Sequence, residues 1–140
     1  MRTLGFAYCV VDGQKKKDTD IDEIASGMTW LGFAAILDPL RSEVPDAITT
    51  CLGAGMQVKI VTGDNSETAK EIARQIGLWQ QEDDKSGARC HLTGHQFAQM
   101  SDEEARSSVS ELKVLSRARP LDKLRLVKLL QESGAVVGVT

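Results

Sequence analysis

The chain has 140 residues, 41% of them hydrophobic and 26% charged, with a formal net charge of −3, which is the composition of a soluble globular domain and not of a disordered or fibrous chain. So small a negative charge argues against a general nucleic-acid or membrane-surface binder, which needs a basic patch to meet phosphates. No apolar stretch reaches the roughly 20 residues that cross a bilayer and no leader pattern opens the sequence; the three separated cysteines, without a C-x-x-C pair, fit reduced thiols better than a disulfide scaffold.

Two apolar runs come first, Leu4 to Val11 and Leu31 to Leu37, each starting Leu-Gly-Phe-Ala. Their composition predicts strands that pair as an antiparallel ribbon across the charged, glycine-punctuated segment from Asp12 to Ser26. Within it, Lys15-Lys16-Lys17 is met at once by Asp18, Asp20, Asp22 and Glu23 and reads as a solvated loop. Val44, Ala47, Ile48, Cys51 and Leu52 then fall on one helical face, with Pro45 in the first turn and Gly53 and Gly55 at the end. A strand from Met56 to Val61 follows. Asp64 with Glu67 gives a capping-box-like start to a second helix, whose stripe is Ala69, Ile72, Ala73 and Ile76 and whose stop is Gly77. Residues 80 to 90 read as a surface loop. Cys90, His91 and His95 cluster in sequence, but Gly94 argues against the helix that would align the histidines, and no further ligand completes a metal shell. Ser101 with Glu104 marks another helix start, Leu112 to Leu115 a strand, Pro120 to Leu130 a helix, and Ala135 to Val139 a last strand. Alternating strands and helices imply a parallel α/β sheet flanked by helices, with ligands at the carboxyl edge of the strands. Thr62, Arg117 and Thr140 fall on that edge.

The turn Thr62-Gly63-Asp64-Asn65 is the first candidate site. It delivers a strand to a helix N-terminus, where free N–H groups and the positive end of the helix dipole favour an anion; the Thr hydroxyl adds a donor and Gly63 has no Cβ to block close approach. Phosphate is the expected guest. Glycine and aspartate are also common in such turns for backbone geometry alone, and Asp64 could be simply a helix cap.

The neighbours of this turn carry a further signal. Leu37-Asp38-Pro39-Leu40-Arg41-Ser42-Glu43-Val44 lies upstream, and Ser116-Arg117-Ala118-Arg119-Pro120-Leu121-Asp122-Lys123 downstream. Together they resemble the D-P-x-R-x-E-V, V-T-G-D and A-R-x-x-P-x-x-K segments of the P-type ATPases, ATP-driven cation pumps with a haloacid-dehalogenase-like phosphorylation domain. The resemblance spans residues 31 to 140, and T-G-D-N is most similar to the calcium-pump branch. It implies a partial Rossmann-like domain over 38–140, preceded over 1–37 by the last strands of a nucleotide-binding domain. It also implies that Thr62 and Gly63 bind the transferred phosphoryl group, that Lys123 sets a positive charge against it, and that Asp64, Arg117, Asp38, Arg41 and Arg2 seat ATP or link the domains.

The family's nucleophilic D-K-T-G-T and its Mg²⁺-holding G-D-G-x-N-D motif are absent. The expectation is therefore a cytoplasmic piece of a membrane pump, using ATP and Mg²⁺ in the parent, binding neither tightly by itself and inactive alone. Its partners would be the remaining pump domains. The strand that carries the nucleophile would lie between those ending at Thr62 and Thr140, so two strand edges would either close locally or pair between copies as a homodimer. Two rival readings are a haloacid-dehalogenase-like phosphatase, which lacks its D-x-D leader here, and a non-catalytic α/β nucleotide- or phosphate-binding module. A P-loop is excluded, because Gly53-Ala54-Gly55 lacks the lysine that completes one.

Overall fold

The computed structural model describes residues 2–10, 21–36, 39–85 and 90–139; Asp38, Thr140, the Lys15–Lys17 run and the centre of the 80–90 segment lie outside them. The chain divides into two compact units, residues 1–39 and 40–140.

The first unit is the expected ribbon. Strands β1 (Arg2–Tyr8) and β2 (Thr29–Ile36) pair antiparallel from Arg2↔Ile36 to Tyr8↔Thr29, with a register shift at Phe6/Ala7. That shift leaves Leu31 without an opposite residue, which is the signature of a bulge. Trp30 lies across the ribbon over Gly5, where an added Cβ would come within 2.8 Å of its ring. Part of the intervening segment read as loop is a short helix, α1 (Ile21–Ser26).

The second unit is a three-stranded parallel sheet in the order β3-β5-β4, formed by β3 (Ile60–Val61), β4 (His91–Thr93) and β5 (Val114–Ser116). Central β5 is wholly buried and alternates its side chains between two layers. Val114 joins Ala69, Ala73, Ile76, Leu78 and Trp79 on one side. Leu115 joins Leu92, Phe97, Val109, Leu112, Leu126 and Leu129 on the other. Helices α2 (Val44–Gly53) and α3 (Ser66–Gln75) serve the first layer; α5 (Gly94–Gln99), α6 (Asp102–Val109) and α7 (Pro120–Glu132) serve the second. Helices thus cover both faces of the sheet, the α/β arrangement expected.

Several local expectations need correction. β3 is only two residues long: Ile60 and Val61 pair with Val114 and Leu115 of β5, and the Ile60 and Thr62 N–H groups donate to the Lys113 and Leu115 carbonyls. The predicted 80–90 loop contains α4 (Gln81–Lys85), pinned by Asp83, whose carboxylate takes the Gln80 N–H at 2.8 Å and the Lys113 ammonium at 2.7 Å. Gly94 opens a helix instead of preventing one, since Thr93 caps it reciprocally with Gln96. Asn65, not Asp64, caps α3, accepting the Thr68 N–H at 2.8 Å. Residues 135–139 form no strand: they join no ladder among the described residues, and Val136 and Val139 stay exposed. On α2, Val44, Ile48 and Cys51 are half-buried as read, whereas Ala47 and Leu52 face outward.

Candidate functional site

The carboxyl ends of β3 and β5 are sewn together. Thr62 donates its N–H to Leu115 at 3.0 Å, and two bonds return across the edge: Arg117 N–H to the Asp64 carbonyl at 2.9 Å and Ala118 N–H to the Thr62 carbonyl at 2.9 Å. The structure therefore brings Thr62, Gly63, Asp64 and Arg117 together in one double turn. Within it the Thr62 hydroxyl accepts the Asp64 N–H at 3.1 Å and donates to the Asp64 carboxylate at 3.1 Å. Gly63 is exposed, and a Cβ there would meet only the Ala118 carbonyl at 4.0 Å. Its open face is what the close approach of a phosphate requires.

Arg117 has φ 51°, in the left-handed region. A non-glycine residue there is uncommon and is held by its surroundings; here the two cross-edge bonds fix the turn and leave the side chain exposed. Three residues on, α7 begins at Pro120, pre-set for a first helical position. Buried Asp122 accepts the Arg119 N–H at 2.8 Å and the Arg119 Nε at 3.1 Å. The bond from Arg119 holds the Asp122 carboxyl below the usual carboxylate range, against the opposing pull of burial. Lys123 lies in this first turn, its N–H bonded to the Arg119 carbonyl at 3.2 Å and its side chain exposed. The N-termini of α3 and α7 thus both follow directly on the cross-tied turns, so two helix dipoles add positive potential at this edge.

Arg41 is exposed ahead of α2 and offers its carbonyl to the Val44 N–H at 3.1 Å, outside the double turn. Arg2 belongs to the other unit, as the first residue of β1, opposite Ile36.

Beneath the edge is a hydroxyl chain that sequence reading missed. Fully buried Ser116 bridges the Ser66 hydroxyl at 2.8 Å and His91 Nε2 at 2.9 Å, tying α3 and β4 to the end of β5. Burial, with the charge of Lys70 as a lesser cause, pushes the His91 pKa below the ordinary histidine range. No spacing rule connects Ser66, His91 and Ser116, which meet only after the sheet forms. Gly94 and Asp122 were also missed; the T-x-x-Q pattern of Thr93 and Gln96 was the available signal for the first.

Among the described residues no three His, Cys, Asp or Glu side chains converge to hold a metal. Two clefts of about 470 and 370 Å³ flank Trp79. Neither is lined by Thr62, Gly63, Arg117 or Lys123, and the open, exposed double turn has more of the chemistry of an anion site than either cleft.

Fold and edge together define an α/β segment in which two turns leading to helices are joined at the carboxyl edge of a parallel sheet. No protein-family profile matches the chain, but curated relatives do. Over its full length it is 44% identical to plasma membrane-type calcium-transporting ATPase 7 of Oryza sativa subsp. japonica and 41% identical to calcium-transporting ATPase 2 of Schizosaccharomyces pombe, covering 13% and 11% of those proteins. Over 84% of its length it is 39% identical to the endoplasmic reticulum calcium ATPase srcA of Aspergillus fumigatus, covering 12% of it. Along its length the chain is thus similar to one segment of calcium-transporting ATPases, spanning about an eighth of these much longer relatives.

Proposed function

We propose that this chain serves an ATP-driven calcium pump as the segment that grips the transferred phosphoryl group and part of the nucleotide. What carries the reading is the double turn, in which the phosphate-competent Thr62–Asp64 bend is bonded to the Arg117–Ala118 turn that leads directly into the helix bearing Lys123. In this reading residues 1–37 end a nucleotide-binding domain and 38–140 form part of a phosphorylation domain, on the cytoplasmic side of the membrane.

Thr62 turns its hydroxyl proton from the Asp64 carboxylate to a phosphoryl oxygen, while the Asp64 N–H keeps the bend in shape by remaining on Thr62 Oγ1. The Gly63 N–H adds a second donor. A phosphate placed there lies near the Asp64 carboxylate, so a nearby cation is required; Lys123 supplies it to the phosphoryl group, and Arg117, Arg41 and Arg2 serve the nucleotide or the link between domains, with Asp38. Phosphoryl transfer depends mainly on such positioning and charge neutralisation. Mg²⁺ would neutralise phosphate charge in the same reaction; the described residues do not make a shell for it. With D-K-T-G-T and G-D-G-x-N-D missing from the sequence, the chain alone should not turn over ATP.

The test is transfer of radiolabel from ATP to the full-length protein. Lys123→Ala should slow phosphoenzyme formation by about 10²–10³, as loss of one electrostatic donor does, and Thr62→Val should slow it in the same direction. A wild-type rate in Lys123→Ala would reject the reading.

A further inference from the structure

The β4-to-α5 junction presses on the Arg117–Ala118 turn from the side opposite Thr62. A Cβ on Gly94 would lie 2.4 Å from the Arg117 carbonyl oxygen, 2.8 Å from Asp122 Oδ2 and 3.1 Å from Ala118 Cα. Two of these neighbours are backbone. The third is a carboxylate only 4% exposed and held by the Arg119 N–H and guanidinium, so it cannot swing clear. Gly94 cannot retreat either, because the reciprocal Thr93–Gln96 cap fixes its own turn and Phe97, one helical turn on, is fully buried in the core.

We propose that Gly94 and Asp122 are positioning residues for phosphoryl transfer. The missing side chain of Gly94 lets β4–α5 brace the central turn from one side while Thr62–Asp64 holds it from the other. Asp122 fastens Arg119, and with it the start of α7, to that brace. Arg117 and Lys123 are the exposed cations that the brace aims, so neither Gly94 nor Asp122 needs to touch the substrate. This inference rests on the assignment of Thr62 and Lys123 to the phosphoryl group.

A methyl group at 94 forces the Arg117 carbonyl outward, and the first turn of α7 moves with it. Displacements of about 1 Å at a catalytic group cost about 10²-fold in rate, so Gly94→Ala in the full-length protein should slow phosphoenzyme formation by about 10²-fold. Asp122→Asn, which keeps shape but drops the charge holding Arg119, should give a smaller loss. The diagnostic is non-additivity: residues acting through Lys123 lose their effect once Lys123 is gone. In a Lys123→Ala background neither substitution should slow the reaction much further, whereas the core substitution Val109→Ala, which acts on folding alone, should change the rate equally in both backgrounds. Should Gly94→Ala fail to fold, the Asp122→Asn cycle decides by itself. A wild-type rate in Gly94→Ala, or losses that multiply in full with Lys123→Ala, would overturn the positioning role while leaving the phosphoryl assignment standing. A wild-type rate in Lys123→Ala would overturn the phosphoryl assignment, and the positioning role with it.

Discussion

The ribbon and the α/β body use the same kinds of residue to opposite effect. Leu4, Phe6, Trp30 and Phe33 in the ribbon are 49–71% exposed, whereas Phe97, Val114 and Leu115 in the body are 0% exposed. Every residue of β1, from Arg2 to Tyr8, has a partner in β2, yet the ribbon leaves its large apolar side chains about half exposed or more. The body has a sheet of only eight strand residues and derives its order from two packed layers. The contrast separates shape from stability: a ladder sets register, but removal of apolar surface from water supplies the driving force, and a two-stranded sheet alone is marginal.

The sharpest way to break this contrast is to excavate each region. Phe97→Ala should cost the body about 3–5 kcal/mol in urea denaturation followed by circular dichroism, as aromatic deletions in packed cores do. Phe33→Ala in the ribbon should cost no more than about 0.5 kcal/mol in the same experiment, the range for exposed sites. Equal losses would mean that the ribbon depends on buried apolar contacts as heavily as the body does.

A smaller effect is expected from Lys113→Met, which leaves the Asp83 carboxylate without its ammonium. Removing one partner of a buried carboxylate that keeps the Gln80 N–H, at a pair whose Lys113 side chain is 31% exposed, should cost about 1 kcal/mol, the low end for a weakened buried acceptor. Destabilisation should be seen as loss of the α4 contact, read by Trp79 fluorescence; an unchanged midpoint would show the pair to be ornamental to the body.

Acid gives a graded test. Both aspartates sit below the usual carboxylate range: Asp122 through its bond from Arg119, and Asp83 because the Lys113, Gln80 and Cys90 bonds outweigh the upward push of burial. A depressed carboxylate stabilises above its unfolded pKa, near 3.9, and that contribution disappears as pH falls through the folded value. Burial depresses His91 as well; for this base the unfolded chain takes up the proton first, so its share is lost as pH falls from about 6.5 through the folded value. The body should therefore weaken in two stages on acidification, and Asp83→Asn with Asp122→Asn should flatten only the lower one. The smallest signal is in amide exchange: Thr62, Val114 and Ala118, whose N–H groups are bonded to Leu115, Cys90 and Thr62 across neighbouring segments of the body, should exchange far more slowly than β1 amides. Comparable rates would erase the distinction between the regions.

Periodicity and punctuation made much of the body legible. The stripe of Ala69, Ala73 and Ile76, the Ser101–Glu104 box and Pro120 at a helix start all report local physics, and local physics held. The turn after β3 was readable for the same reason, since Thr62, Gly63 and Asp64 are contiguous. What escaped depends mostly on burial and on distant partners. Gly94 is a poor helix former by itself, and only the Thr93–Gln96 cap together with the burial of Phe97 makes it the opening of one. Ala135 to Val139 has the composition of a strand, but a strand exists only with a neighbour to bond, and none stands beside it among the described residues. Ser116 reads as an ordinary polar residue until Ser66 and His91 arrive from two other elements.

The backbone at Arg117 sets two selections against each other. Its φ of 51° is one that glycine or asparagine adopts at less conformational expense, so a library of variants screened for heat tolerance alone should drift toward those residues. On the proposed role of Arg117 in seating the nucleotide, screening the full-length protein for turnover should restore the guanidinium. Position 117 is thus where durability and throughput would diverge first in a directed-evolution experiment.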